Sequence, residues 1–215
     1  MRFSFVFLLA ATSLAAQSVS AGFKLGAPLT EPYTYLPNFS TFTQGRWTGG
    51  PTVELHLPYR FSLELDALYR NSHSSFSYPF SLGPNSNAYV TSSTQKTNAW
   101  DFPLLLKYRF RVAMLHPFIS GGYQWTRQSN DGISSYTCTG PQGSCKPADY
   151  PFPTPSGGRF QNVFVRHGPA AGAGLDFKTR YVTISPELRF TRPTNSGRND
   201  NNFTALVGFT FGNKR

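Results

Sequence analysis

The sequence predicts an all-β protein, an eight-stranded antiparallel up-and-down transmembrane β-barrel preceded by a signal peptide. Eight segments alternate apolar and polar residues, as in "FSLELDALYR" at residues 61–70, and this two-residue period is typical of β-strands. The connections between the segments alternate between long and short, as they do in a barrel whose large loops all lie at one end. Charged residues gather on one side of the alternation and apolar residues on the other.

The N-terminal segment has the features of a secretion signal. Arg2 is its sole charge, residues 3–16 form an apolar run, and Val19-Ser20-Ala21 is a small-residue cleavage motif. The run is shorter than the roughly 20 apolar residues that a membrane-spanning helix needs. We therefore assign residues 1–21 to a signal peptide that directs export through the Sec pathway, and residues 22–215 to one barrel domain.

The alternating segments give the approximate bounds of the strands: residues 22–29, 47–57, 61–69, 99–110, 116–126, 162–177, 181–190 and 202–212. Short turns are expected at 58–60 and 178–180. The long connections at 30–46, 70–98 and 127–161 are rich in Ser, Asn, Thr, Pro and Gly, so we expect irregular, solvated loops there. Pro51 and Pro103 lie near the external ends of their strands, whereas Pro169 and Pro186 are expected to form β-bulges.

The charged face decides which side of the strands points inward. In a soluble sheet the apolar face would be buried, but in a membrane barrel it contacts lipid and the ions lie inside. The ionisable face holds twelve residues: Lys24, Glu54, His56, Glu64, Asp66, Asp101, Lys107, Arg109, Arg166, Asp176, Glu187 and Arg189. Because side chains fill a barrel of about eight strands, we predict a salt-bridged lumen network of Glu54, Glu64, Asp66, Lys107, Asp176, Glu187 and Arg189. It either plugs the lumen or lines a narrow conduction path.

The apolar face carries aromatic residues near the segment ends, where membrane interfaces enrich them. These predicted interface aromatics are Trp47, Tyr69, Trp100, Tyr108, Trp125 and Phe211. The formal net charge of the chain is +10, and its cations concentrate at the predicted periplasmic end: Arg60, Arg109, Arg111, Lys178, Arg180, Lys214 and Arg215. We expect outer-membrane lipids as their partners and no nucleic acid.

Cys138 and Cys145 are predicted to form a disulfide, since "CTGPQGSC" lacks the CxxC spacing of a redox pair and has no nearby histidine. "NSHSSF" places His73 beside Ser74, which raises the alternative of a hydrolase. A nucleophilic site also needs an orienting partner and an oxyanion donor, and a Ser-rich loop explains these residues without them. We expect no catalytic residues, no metal site and no cofactor.

The segments "GPTVELHLPYRFSLELDALYR", "WDFPLLLKYRF", "GAGLDF" and "FTALVGFTF" resemble the small outer-membrane β-barrel proteins of the OmpA/OmpX type. The resemblance covers essentially the whole mature chain. It implies an eight-stranded barrel in the outer membrane of a diderm bacterium, with both termini in the periplasm. It also implies assembly by the barrel-assembly machinery, which recognises a terminal aromatic residue in this group. Phe209 and Phe211 have the matching alternation, but Gly212-Asn213-Lys214-Arg215 follow them and depart from that pattern.

These observations together predict a monomeric, non-enzymatic barrel that is envelope-structural, or that binds an extracellular ligand through its loops. The predicted loops hold many aromatic residues: Tyr33, Tyr35, Phe39, Phe42, Phe76, Tyr78, Phe80, Tyr89, Tyr136, Tyr150 and Phe152. Such residues form a binding surface or pack the loops onto one another. The alternatives are a narrow ion or small-solute channel, a lipid-A-modifying hydrolase, and a soluble periplasmic β-protein.

Overall fold

The computed structural model describes residues 18–30, 40–81, 88–112, 116–138, 158–194 and 201–212. Its strands are β1 (Val19–Pro28), β2 (Ser40–His56), β3 (Phe61–Asp66), β4 (Leu68–Ser81), β5 (Ala88–Arg109), β6 (His116–Cys138), β7 (Gly158–Lys178), β8 (Thr183–Thr191) and β9 (Asn202–Gly212). A 3-10 turn, Pro58–Arg60, joins β2 to β3. No helix within these ranges is long and apolar enough to cross a bilayer.

The strands close into a barrel. Every pair of hydrogen-bonded neighbours among the described strands is antiparallel, and β1 pairs with both β2 and β9. β3 and β4 both lie between β2 and β5, so they are two parts of one strand. The structure is therefore a closed, eight-stranded antiparallel barrel, and the predicted fold class is confirmed.

Prolines on both neighbouring strands explain why β3 and β4 are separate. The Ala67 N–H donates to the Pro51 carbonyl oxygen at 3.0 Å, but Pro51 has no N–H to return to Ala67. On the other side, Leu65 pairs with Leu104 and Leu68 pairs with Asp101. Phe102 and Pro103 therefore lie opposite the break. Strand pairing stops at Ala67 because prolines remove ladder donors there.

The predicted long loops are shorter than expected, because β2, β4, β5, β6 and β7 continue into them. β5 runs from Arg109 to Ala88, and β6 continues to Cys138. Ser72–Ser81 pairs with Ala88–Thr97, and Ser129–Ser134 pairs with Gly158–Val163. The expectation of irregular chain at these positions is wrong. Polar residues predominate on both faces of these extensions, so the sequence lacks the alternation that marks a strand, while the backbone ladder still forms.

The expectation of β-bulges at Pro169 and Pro186 is also wrong. The β6–β7 register is continuous through Tyr123 and Pro169. The missing N–H of Pro169 faces Arg192, beyond the last residue of β8, so little of the ladder is lost. At Pro186 the β7–β8 pairing is interrupted between Gly174 and Phe177 and then resumes in the same register.

Burial shows that the apolar face points outward. Along β3 the pattern alternates strictly: Leu63 and Leu65 are 37% and 51% exposed, whereas Glu64 and Asp66 are each 1% exposed. A soluble β-protein would bury the leucines and solvate the carboxylates. A closed barrel with this arrangement satisfies the conditions for spanning a lipid bilayer, since its backbone is internally hydrogen-bonded and its outer surface is apolar.

Aromatic residues mark two levels on the outer surface. We name the end of the barrel with the long hairpins external and the end with the short turns periplasmic, after the orientation that the sequence predicts. At the external level the Tyr69 and Trp100 rings are 5.2 Å apart, and Phe102 pairs with Trp125. At the periplasmic level the Phe61 and Tyr108 rings are 5.0 Å apart. Trp47 and Phe211 are also exposed. From Trp100 to Tyr108 the strand rises about 26 Å, or roughly 20 Å across the membrane at a typical barrel tilt, close to the apolar band of outer-membrane barrels.

Candidate functional site: the luminal charge cluster

Nine charged side chains from six strands meet inside the periplasmic half of the barrel. We call them the luminal cluster: Lys24, Glu54, Glu64, Asp66, Lys107, Arg109, Asp176, Glu187 and Arg189. Each lies on the inward side of its strand, since side chains on a strand alternate between faces. The barrel interior is narrow enough for them to reach one another across it.

Arg189 joins three carboxylates at the centre of the cluster. Its Nε donates to Glu187 Oε1 at 2.9 Å, its Nη1 to Asp66 Oδ2 at 2.8 Å, and its Nη2 to Glu64 Oε1 at 3.1 Å. The Thr52 hydroxyl donates to the other Asp66 oxygen at 2.6 Å. The planar guanidinium, with its five donors, fits several acceptors at once.

Two lysines approach Glu64 from different strands. Lys24 donates to Glu64 Oε1, and also to Glu187 Oε2 at 2.9 Å. Lys107 donates to Glu64 Oε2, and its Nζ lies 4.2 Å from the centre of the Phe118 ring. Glu64 therefore accepts from three cations, and it connects β1, β5 and β8 through β3.

Arg109 organises the periplasmic end of the cluster. Its Nε donates to Asp176 Oδ2 at 2.6 Å, its Nη1 to the Ser62 hydroxyl at 2.6 Å, and its Nη2 lies 2.5 Å from Glu54 Oε1. The Ser185 hydroxyl donates to Asp176 Oδ1 at 2.7 Å. Arg109 was expected at the periplasmic rim as well as on the inner face, and the structure places its side chain in the lumen.

The cluster is nearly neutral and almost inaccessible to water. It contains five carboxylates and four cations, and every member except Arg109 is at most 4% exposed. His56 adds an ionisable group at the mouth, with its Nδ1 3.8 Å from Glu54 Oε1. Gly172 makes room for the cluster, because a Cβ at this position would collide with the Glu187 carboxylate and the Ser120 hydroxyl. Paired ions with hydrogen bonds on their remaining atoms are the form in which buried charge is tolerated.

The external half of the lumen is built from different residue types. Asp101 accepts from the Thr126 hydroxyl at 2.6 Å and lies 3.3 Å from Arg70 Nε. Above it, Thr97 and Gln128 both donate to Asn130 Oδ1 at 3.0 Å. Serine, threonine, asparagine and glutamine side chains thus replace ions toward the outside. In the described part of the structure, the ion pairs of the lumen lie at or below the external aromatic level.

The seven residues predicted for the lumen network all lie in the luminal cluster. The alternation predicts Lys24 and Arg109 on the inward face, but the predicted network does not include them. The sequence feature that indicates their inward position is their alternation with Phe23, Leu25 and Tyr108, which point outward. What the sequence does not show is that Lys24, in β1, reaches Glu187, in β8.

The residues considered for other roles are placed as follows. His73 and Ser74 lie on β4 rather than in a loop, and adjacent residues of a strand point to opposite faces, so they form no nucleophile–base pair. Cys138 ends β6, and Cys145 lies outside the described residues. Of the loop aromatics, only the Phe76 side chain belongs to the described part of the structure, where it is partly exposed on β4.

The periplasmic rim carries exposed cations beside aromatic rings. Arg60 follows Tyr59, which is 89% exposed, and the Arg180 guanidinium lies 5.4 Å from the centre of the Tyr181 ring. Arg111 and Lys178 are exposed at the same end. Lys214 and Arg215 lie outside the described residues.

Comparison with known proteins gives a structural similarity without a sequence relationship. No model of a known family matches the chain, and no curated protein is similar to it in sequence. Among solved structures it is similar to the N-terminal β-barrel domain of Pseudomonas aeruginosa OprF, with 14% identity, a TM-score of 0.40, and coverage of 91% of this chain and 97% of that one. For Neisserial surface protein A the identity is 10%, the TM-score 0.45, and the coverage 91% and 96%. For Ail, the attachment invasion locus protein of Yersinia pestis, these values are 10%, 0.36, and 92% and 97%.

Proposed function

We propose that the chain is a non-enzymatic barrel of the bacterial outer membrane, with a lumen closed by the luminal cluster and an external β-sheet that binds a partner at the cell surface. One observation supports the closed lumen: eight of the nine residues of the luminal cluster are at most 4% exposed. A hydrated pore would leave these ions in contact with water. Instead, each carboxylate oxygen of the cluster lies within 4 Å of a cation or accepts a hydrogen bond from a hydroxyl.

Planar-bilayer recordings of the purified barrel test the closed lumen. We expect no sustained openings from the wild type, because Arg189, Lys24 and Lys107 occupy the lumen together. Arg189→Ser removes the largest central side chain and should produce openings. Arg127→Ser, which removes an exposed arginine from the outer face, is the matched control and should stay silent. Sustained, cation-selective openings of the wild type would overturn the plug and favour the channel alternative.

The external sheet supports the second part of the proposal. β5 extends 12 residues above Trp100, from Ala99 to its start at Ala88, and β6 continues from Trp125 to Cys138. At about 3.3 Å per residue these strands extend roughly 40 Å beyond the external aromatic level. Outside the membrane such a sheet contributes nothing to spanning it. Its polar and aromatic surface is therefore the part of the chain that is available to a partner in the medium.

Shortening both external hairpins at one level tests this role. His73, Lys96, Asp131 and Gln161 form one row across four strands. We would join His73 to Lys96, and Asp131 to Gln161, by Asn-Gly turns, which favour tight hairpins. The short barrel should keep its heat-modifiable gel mobility, while cells that display it lose adhesion to cultured epithelial monolayers. Cys138→Ser/Cys145→Ser keeps the full sheet and controls for the lost cysteines. Equal adhesion by the long and short forms would contradict surface binding.

The proposal extends to the export of the chain, its assembly, its two cysteines and its lipid partners. The signal segment supports export through the Sec pathway, and the barrel-assembly machinery would insert the chain as a monomer. Cys138 and Cys145 would form a disulfide in the oxidising envelope. At the rim, Arg60, Arg111 and Arg180 would contact anionic phospholipid headgroups of the inner leaflet, each worth about 1 kcal/mol near a charged surface.

A further inference from the structure

The outer part of β7 forms an edge of the external sheet. β6 pairs with β7 along its length up to Gly158, whereas β8 pairs with it only as far as Ala170. Beyond that point, the Thr194 N–H donates to the His167 carbonyl oxygen at 2.9 Å. Among the described strands, none pairs with residues 158–164 on the side of β7 that faces away from β6.

The main chain of this edge presents a row of donors and acceptors. In an antiparallel ladder the N–H and C=O of one residue point to the same side of the strand, and the side alternates from residue to residue. The His167 carbonyl oxygen points away from β6, so the N–H and C=O groups of Val163, Gln161 and Arg159 do so too. Within the described ranges no hydrogen bond reaches these groups. Their repeat of roughly 7 Å matches the main chain of another extended strand.

This edge lacks the features that usually prevent a sheet edge from pairing further. Such features are prolines, lysines and β-bulges. Residues 158–165, "GRFQNVFV", contain no proline or lysine, and their register with β6 is continuous. The charge of Arg159 is drawn onto the neighbouring strand, where its Nη2 donates to Asp131 Oδ2 at 2.8 Å. The uncharged run "FQNVFV" has the composition of segments that readily form intermolecular β-sheets.

Apolar side chains flank the edge on both faces of the sheet. Val163 points outward and is 54% exposed, and Phe164 points to the inner face and is 45% exposed. A strand that pairs with the edge would place alternate side chains beside Val163 on one face and beside Phe164 on the other. β-branched residues fit such a pleated surface. The edge therefore suits an extended segment rich in β-branched residues.

We propose that the β7 edge from Arg159 to Val163 binds an extended, β-branched segment of a partner protein by strand addition. The edge-facing N–H and C=O groups of Arg159, Gln161 and Val163 pair with the main chain of the segment, and Val163 and Phe164 contact its side chains. This inference rests on the proposed function, because it names the part of the external sheet that binds the partner and the kind of segment that is bound.

Fluorescence anisotropy with the full, refolded barrel in detergent tests the edge. The probe is a short labelled peptide in which valine and threonine alternate between terminal glutamates. The control probe is the same peptide N-methylated at every valine and threonine, which removes its N–H donors. We expect saturable binding of the first peptide and none of the second.

Two substitutions at one position separate the main chain from the side chain. Val163→Pro removes an edge-facing N–H and leaves the ladder with β6 intact, so it should weaken peptide binding about tenfold. Val163→Thr keeps both the N–H and the branched side chain, and should leave binding unchanged. Gln161→Pro, at the next edge-facing residue, replaces Val163→Pro if that variant fails to fold. Heat-modifiable mobility shows whether each variant is folded.

Three results would overturn the assignment: no saturable binding by the wild type, equal binding of the N-methylated peptide, or equal binding by the folded proline and threonine variants. The adhesion assay with shortened hairpins tests the proposed function separately. Peptide binding without adhesion would refute surface adhesion alone, whereas adhesion without peptide binding would refute the β7 edge alone.

Discussion

At the scale of single residues, this molecule depends on how buried charges are matched. Glu64 is 1% exposed and accepts from Lys24, Lys107 and Arg189. Removing one partner of a buried ionic network leaves the others uncompensated, which costs far more than breaking an exposed pair. A charged residue therefore contributes more to stability when it faces the lumen than when it lies on the outer surface of the barrel.

Glu64→Gln should lower the free energy of unfolding by about 3–5 kcal/mol, because it leaves excess positive charge from Lys24, Lys107 and Arg189 in a site without water. Urea unfolding of the barrel in lipid vesicles, followed by tryptophan fluorescence, measures this loss. Asp131→Asn is the control. Hydrogen bonds from Arg159 lower the pKa of Asp131, yet both side chains are exposed, so the loss should be much smaller. Equal losses for the two variants would contradict the matched-charge account.

At the scale of secondary-structure elements, the position where a strand ends depends on the available backbone N–H donors as much as on the alternation of side chains. Pro51 and Pro103 flank the break at Ala67, and Pro169 lies where the β7–β8 ladder ends. In the first strand, pairing instead continues beyond the strand end that the sequence predicts. Val19 pairs with Leu55, Ala21 pairs with Phe211, and the Ser20 hydroxyl lies 3.0 Å from His56 Nε2. β1 therefore starts upstream of the cleavage site predicted after Ala21.

Intact mass of the mature protein will locate the N-terminus. Cleavage after Ala21 would remove Val19, Ser20 and Ala21 from β1 and break ladder bonds on both of its sides. We expect cleavage before Val19, because the strand then stays complete, and Ser13-Leu14-Ala15 offers a second small-residue site. A mature chain that begins at Gly22 would show that the barrel closes with a shorter first strand.

At the scale of the whole molecule, closure brings the two ends of the chain together. β9 lies between β1 and β8, so Lys24 of β1 contacts Glu187 and Asp66 across the lumen rather than a neighbour in sequence. The β-barrel thus removes exposed sheet edges and assembles the luminal cluster in one step. A sheet opened between β1 and β9 would separate Lys24 from Glu187.

A double-mutant cycle tests this coupling. Lys24→Met and Glu187→Gln should interact with a coupling free energy of roughly 1–3 kcal/mol, because each variant removes one half of the same buried pair. Urea unfolding of the single and double variants measures it. Lys24→Met combined with Asp131→Asn, a distant exposed site, should be additive to within about 0.5 kcal/mol. Additivity of the first pair would mean that the contact contributes no free energy.

The sequence by itself determined the orientation of the strands. An uninterrupted alternation, in which Leu63 and Leu65 alternate with Glu64 and Asp66, assigns every side chain to one of two faces. A lipid surrounding requires the apolar face outside. The sequence did not show the external extensions of β4 to β7, because Ser, Thr and Asn on both faces carry no periodicity. Only the tertiary structure decided which ions meet, since Lys24 and Glu187 become neighbours through barrel closure and nothing local to either residue encodes that contact.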